Sequence, residues 1–255
     1  MIEVSVIMSC FKSNPRLLKK SIQSIKEQSY KKHELIIIDD GVSKNCKKII
    51  GDFALKDKRI KILKNKKNMG LPYSLNKAIK YSSGEFIFRA DDDDFSHKDR
   101  IKIQLDYLKK NRDISVLGTN AKINLIYKKK FFFSKFPLKN SKIVKTLPFI
   151  NPIIHSSICA RKKIFKKYKY DERLLKAQDY DLWQRMSKNS VILENLPNKL
   201  VTLNKLNPIL LIDFLYEIKV RLKHNSIIDN LYLIFYLPFN LLKIIFNKFF
   251  NNKLC

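Results

Sequence analysis

Between Val4 and Gly118, five short apolar, β-branched runs alternate with four stretches of helical periodicity, and this alternation leaves few ways to fold. The runs are VSVIM, ELIII, RIKIL, EFIFRA and ISVLG. The first intervening stretch, SNPRLLKKSIQSIKEQ, places Asn14 to cap a helix, Pro15 at its first position, and Leu18, Ile22 and Ile25 on one face. A second helix is predicted from Ser43 to Ala54. A third covers LPYSLNKAIKYSSG, where Leu71, Leu75, Ala78 and Ile79 share a face and Gly84 stands beyond the end. A fourth covers HKDRIKIQLDYLKKN. Strand and helix in strict alternation predict an α/β fold, a Rossmann-like, mostly parallel sheet with helices on both faces. After Gly118 the pattern loosens. AKINLIY, KFFFSKF and SSICA read as strands, and AQDYDLWQRMSKN as a helix with acids at its start. The expected organisation is a domain over 1–204, divided into 1–118 and 119–204, followed by an apolar helical segment over 205–255.

Open α/β sheets bind ligands beyond the carboxyl ends of their strands. Both acidic clusters of the sequence fall at such ends: Asp39 and Asp40 after ELIII, and Asp91 to Asp94 after EFIFRA. Four adjacent carboxylates repel one another, and each costs more when partly buried. In a chain of formal net charge +29, a bound cation is the natural means of offsetting that repulsion. Alternate side chains at a strand end share a face, so Asp91 and Asp93 can converge on Mg²⁺ or Mn²⁺, which favour oxygen ligands. The bland alternative is a solvated acidic turn, with Asp94 or Ser96 capping the next helix.

The charge is uneven as well as large. From Tyr107 to Tyr170 seventeen Lys and Arg face one acid, Asp113. Such a surface attracts anionic lipid, nucleic acid or phosphorylated ligands, or is simply solvated. The four cysteines show no paired spacing, which fits neither a disulfide framework nor a zinc site and points to a reducing, cytoplasmic setting.

Five segments, in order from about Val4 to Leu203, resemble the family 2 glycosyltransferases, whose fold is GT-A. VSVIMSCFK is similar to the family's opening V-S-V-I-I-P-x-Y-N, with Ser9, Phe11 and Lys12 replacing Pro, Tyr and Asn. ELIIIDDG resembles its D-D-G-S strand end. NMGLPYSLNKAIKYSSGEFIFRADDDD resembles an N-x-G, helix, G-E-Y, D-x-D-D run. AQDYDLWQRM resembles E-D-Y-D-L-W-x-R, with Gln178 for the usual glutamate, and NPIIHSSICARK the His-containing segment before it.

The resemblance implies an inverting glycosyltransferase using Mn²⁺ or Mg²⁺. A nucleotide-sugar donor, most simply a UDP-sugar, would bind residues 1–118, and a glycan or lipid-linked glycan acceptor of capsule or lipopolysaccharide type residues 119–204. It implies Asp93 and Asp91 at the metal, Asp91 and Asp92 toward the ribose or sugar, and Ser9 and Asn68 at the donor. One of Asp39 and Asp40 would meet the base, where a carboxylate accepts from the imide N–H of uracil. Asp179 maps onto the catalytic aspartate, a general base for the acceptor hydroxyl; Asp181, two residues on, would point elsewhere on the helix. His155 is a candidate for phosphate or acceptor contact. Trp183 would either stack on an acceptor sugar or lie in the core.

Rival readings are a non-catalytic basic scaffold for membrane or nucleic acid, and a nucleotidyltransferase. The second lacks a glycine-rich phosphate loop in SCFKSNPRLLKK. The tail contains NLYLIFYLPFNLL, thirteen uncharged residues interrupted by Pro238, short of the roughly 20 that span a bilayer. It suits helices lying in a membrane interface or a helix packed on the domain. The expected partners are donor, acceptor and the inner face of the plasma membrane, reached peripherally, with no nucleic acid.

Overall fold

The computed structural model describes residues 2–208 and 210–225. The first strand, β1 (Val4–Cys10), leads into α1 (Pro15–Lys26), whose Asn14 side chain accepts from the amides of Arg16 and Leu17. Then follow β2 (His33–Asp39), α2 (Lys44–Lys56), β3 (Ile60–Lys64), α3 (Leu71–Tyr81), β4 (Phe86–Arg89), a two-residue β5 (Phe95–Ser96) and α4 (Arg100–Lys110). The second half contains β6 (Ile114–Leu125), β7 (Lys130–Phe133), α5 (Asn140–Thr146), β8 (Cys159–Arg161), α6 (Lys162–Lys167), α7 (Gln178–Lys188), β9 (Ile192–Lys205) and α8 (Leu211–His224).

The strands form one mixed sheet in the order β3-β2-β1-β4-β8-β6-β9-β5, with β7 hanging from β6. The first four run parallel, as expected; β8 is antiparallel to both neighbours, so β6 points the same way as β4. Period-two alternation divides the core. Val4, Val6, Met8, Leu35 and Ile37 pack beneath α1, α2 and α4, while Ile7, Ile36 and Ile38 face α3 and α7 on the other side. At Gly84 a Cβ would come within 2.7 Å of the backbone at Val4 and Ser5, so the turn after α3 can touch β1 only without a side chain.

Several elements depart from the sequence expectation. ISVLG and AKINLIY belong to one long strand, β6, which crosses the expected division at Gly118 without a break. SSICA begins as a 3₁₀ turn, His155–Ser157, before β8. No strand is predicted over the 14 residues of β9, and Pro197 within NLPNKL argues against unbroken pairing there. The structure resolves that conflict with a bulge. Leu196 pairs with Thr119 and Lys199 with the next residue, Asn120, so Pro197 and Asn198 are set aside and pairing resumes. Beyond Lys205, α8 packs on the domain through Val220 and through ion pairs to α7. The run Asn230–Leu242 lies outside the described residues, and no helix among those described is long and apolar enough to cross a membrane.

Candidate active site

Because β1, β2 and β4 are parallel, their carboxyl ends share one edge of the sheet, and both acidic clusters stand there. The loops after them are tied together: the amide of Asp40 donates to the carbonyl of Cys10, and that of Ala90 to the carbonyl of Ile7.

Asp39 and Asp40 separate clearly. Asp40 is buried, and its carboxylate accepts from Asn65 Nδ2 (2.8 Å) and the amides of Met69 (2.8 Å) and Gly70 (2.9 Å). It pins the loop that opens α3. Asn68 lies in that loop, exposed, its Oδ1 accepting from Gly70 N at 3.0 Å. Asp39 spends only Oδ1 on its own turn, taking the amides of Gly41 and Val42 at 3.0 Å, while Oδ2 lies 4.0 Å from the flexible Lys47 ammonium. Ser9 is the one partly exposed residue of β1.

The backbone bends at Asp92 and Asp93, and the four carboxylates meet different partners. Asp91 is gripped by the guanidinium of Arg89, itself buried at the end of β4. Asp92 points away from the others and accepts from Ser13 Oγ. Asp94 accepts from the amide of Asn204 at 2.9 Å, and Asn204 Nδ2 donates to the carbonyl of Asp93 at 2.7 Å. The carboxylate of Asp93 accepts no hydrogen bond among the described residues. Oxygens of Asp91, Asp93 and Asp94 lie within 4.8 Å of one another. Burial, then repulsion from Asp91 and the neighbouring aspartates, pushes Asp93 and Asp94 up to about 7; burial raises Asp92 to about 6. An all-oxygen set with one unpartnered member and unneutralised charge fits a hard divalent cation. Asp94 therefore joins the expected pair Asp91 and Asp93, because the chain has left strand geometry and strict alternation no longer holds.

Asp179 enters from the other half. It opens α7, follows Ala177 in a left-handed conformation (φ 55°), and accepts from Asn151 Nδ2 at 2.8 Å. Burial raises its pKa. Asp181 is the opposite case: it is fully buried yet held well below the usual carboxylate range, despite its burial, by His224, Lys223 and Arg185. His155 Nε2 lies 2.8 Å from Tyr170 Oη, and burial together with Arg89 keeps its imidazole neutral. Trp183 has no exposed surface and belongs to the core, so its ring is not presented to an acceptor sugar.

The residues supporting this edge were not marked in the sequence. Arg89, Ser13, Asn151 and Asn204 each fix one acidic group, and Arg100, buried, donates to the carbonyls of Arg89 (2.9 Å) and Ile158 (3.1 Å) where β4 meets β8. Only Arg89 carried a signal, a charged residue closing an apolar strand just before the aspartates.

The model of glycosyl transferase family 2 matches residues 5–169, well over half the chain. The chain belongs to that family. An uncharacterized glycosyltransferase of Methanocaldococcus jannaschii is 36% identical over 192 residues, 73% of this chain and 65% of that protein. The fold is shared with Staphylococcus aureus TarS 1–349 in complex with UDP, at TM-score 0.67 and 21% identity, over 86% of this chain and 64% of that one. It is also shared with the mannosyltransferase PcManGT of Pyrobaculum calidifontis in complex with GDP-Man and Mn²⁺, at TM-score 0.60 and 13% identity, over 81% and 57%. The chain thus spans about two thirds or less of the length of each of these relatives. The architecture is GT-A: a mixed, mostly parallel sheet with helices on both faces.

Proposed function

We propose that this family 2 chain moves a glycosyl group from a uridine diphosphate sugar to a hydroxyl of a surface-glycan acceptor, with inversion. The observation that carries the reading is the partnership around the aspartates: Asp91, Asp92 and Asp94 each have a protein partner, while Asp93, half-buried and raised to about 7, has none. Asp91, Asp93 and Asp94 would hold Mn²⁺ or Mg²⁺, which supplies positive charge against the departing diphosphate. Asp39, with one carboxylate oxygen left over from its own turn, is the group placed to accept from the uracil imide. Ser9 and Asn68 flank the donor, and Asp92 fastens the loop after β1 through Ser13.

Asp179 is the base. A carboxylate whose pKa is raised toward the working pH is a better proton acceptor than an ordinary one. The acceptor oxygen forms its bond to the anomeric carbon as the bond to the diphosphate oxygen breaks; the hydroxyl proton passes to Asp179 Oδ, and the electron pair leaves with the nucleoside diphosphate. One displacement inverts the centre. A scaffold that only binds membrane or nucleic acid has no use for a desolvated carboxylate at this edge. The test is a panel of nucleotide sugars assayed for hydrolysis and transfer with and without Mn²⁺. The expected result is metal-dependent turnover of a UDP-sugar, abolished in Asp93→Ala with the fold retained; unchanged metal-dependent UDP affinity in that variant would refute the assignment.

A further inference from the structure

The β6–β7 hairpin breaks the rule that a strand hides one of its faces. Phe131, Phe132 and Phe133 are 57%, 48% and 46% exposed, although Phe131 and Phe133 lie on one face of the ribbon and Phe132 on the other. Tyr127, in the turn, is 40% exposed. Single exposed apolar residues need no explanation, but a contiguous aromatic strip marks a binding surface. Lysines frame this one. Lys128 and Lys129 occupy the turn and Lys130 opens β7, Lys122 Nζ sits 4.2 Å from the Phe131 ring centre, and Lys199 Nζ 4.3 Å from that of Phe133. No acid occurs between Asp113 and Asp171.

We infer that this ribbon docks the protein on an anionic lipid surface. Rings that enter the interface, with long amines able to reach back to phosphate headgroups, are what such a surface selects. A polyanion in water that offers only phosphates, such as a nucleic-acid duplex, would use the lysines but leave both faces of the phenylalanine strip bare. The ribbon's position gives the docking a purpose. Within it Asn124, paired with Phe131, donates through Nδ2 to Asn204 Oδ1 at 3.1 Å, and Asn204 holds Asp93 and Asp94. Seating the ribbon on a bilayer therefore brings the carboxylate edge of the sheet to the lipid surface, where a lipid-linked acceptor would present its hydroxyl. That last step rests on the glycosyl-transfer reading; the docking itself does not.

The test uses the full chain and vesicles of phosphatidylcholine with or without phosphatidylglycerol. The wild type should bind the anionic vesicles, and more weakly as salt rises. Lys128→Gln with Lys130→Gln should weaken binding by about 25-fold, at about fivefold per lysine; Lys129, at φ 51° in the turn, is left in place. Replacing Phe131, Phe132 and Phe133 together by serine should remove the salt-resistant part of binding. These side chains are exposed, so both variants should melt like the wild type and hydrolyse donor at the same rate. Indifference of the wild type to anionic vesicles, ribbon variants that bind as well as the wild type, or an RNA competitor that abolishes binding with the phenylalanines irrelevant would each overturn the inference. Ribbon-dependent vesicle binding without turnover of any nucleotide sugar would instead refute the proposed function and leave the docking surface standing.

Discussion

Two aspartates of α7, two residues apart, should answer the same substitution in opposite ways. Asp181 has no exposed surface and accepts from Arg185 Nε at 2.7 Å, Lys223 Nζ at 2.8 Å and His224 Nε2 at 2.8 Å. Lys223 and His224 belong to α8, so this carboxylate is what fastens that helix to the domain. In Asp181→Asn one oxygen becomes an NH₂ group that can only donate, and it faces donors. Removing one partner of a buried ion pair costs about 3–5 kcal/mol. The Arg185 and Lys223 side chains are 27% and 44% exposed and can turn to water, which lowers the expectation to about 2–4 kcal/mol. For a chain of this size that is a fall in Tm of about 5–15 °C, with earlier proteolytic release of α8. The pH dependence carries a sign. Asp181 titrates lower in the folded state than unfolded, so its stabilisation is complete above the unfolded carboxylate pKa and fades as pH falls below it. The gap between wild type and variant should therefore be full at neutral pH and close in acid.

Asp179→Asn should do none of this. Its carboxylate titrates higher folded than unfolded, so the charged form is a net cost that grows as pH rises from the unfolded toward the folded pKa, and the amide removes it. Stability should be unchanged or slightly raised, donor and metal should still bind, and transfer should fall by about 10²–10⁴-fold. Equal melting of Asp181→Asn and wild type across pH would refute the role given to Asp181. Loss of stability in Asp179→Asn with normal transfer would show Asp179 to be structural and move the base elsewhere.

Two further outcomes follow from the carboxyl edge. Protons and metal compete for Asp93 and Asp94, both near 7, so the apparent Mn²⁺ affinity, read by calorimetry or by the rise in Tm, should fall by about 10- to 100-fold from pH 8 to pH 6; a flat profile would exclude these groups as ligands. Asp39→Asn offers an amide donor where uracil also offers one, so preference for UDP over CDP should narrow with little change in Tm, and an unaltered preference would remove Asp39 from the base site.

The parallel half of the fold was legible because its strands are apolar, its helices periodic and its breaks marked by Asn14-Pro15, Asp-Gly and Gly84. The second half was legible only in part: β7 and α7 fall within KFFFSKF and AQDYDLWQRMSKN, and the rest does not declare itself. α5 and α6, seven and six residues, are too short for a 3.6-residue period to declare itself, and β9 contains a proline that pairing tolerates only through a bulge across the sheet from Thr119 and Asn120. The same limit applies to the site. Asp91 and Asp93 could be named from their place at a strand end, Asp39 and Asp40 only as a pair, and Asp179 through the family resemblance. The roles of Asp40 and Asp94 could not, because these depend on partners distant in the chain: Asn65, Met69 and Gly70 for one, Asn204 for the other.

Four adjacent carboxylates persist in this chain because the fold refuses to treat them alike. Arg89 neutralises Asp91, Ser13 donates to Asp92, and Asn204 satisfies Asp94 by its amide while its side chain holds the carbonyl of Asp93. What remains is one carboxylate, Asp93, flanked by charge and given no partner. The lysines on the surface do not supply one. Lys205 and Arg89 lower its pKa, and burial and the adjacent aspartates outweigh them. A large net positive charge spread over a screened surface is no substitute for a cation at contact distance. On the proposed readings the basic surface and the acidic edge serve separate ends, the one an anionic lipid surface and the other a divalent ion and the diphosphate it would accompany.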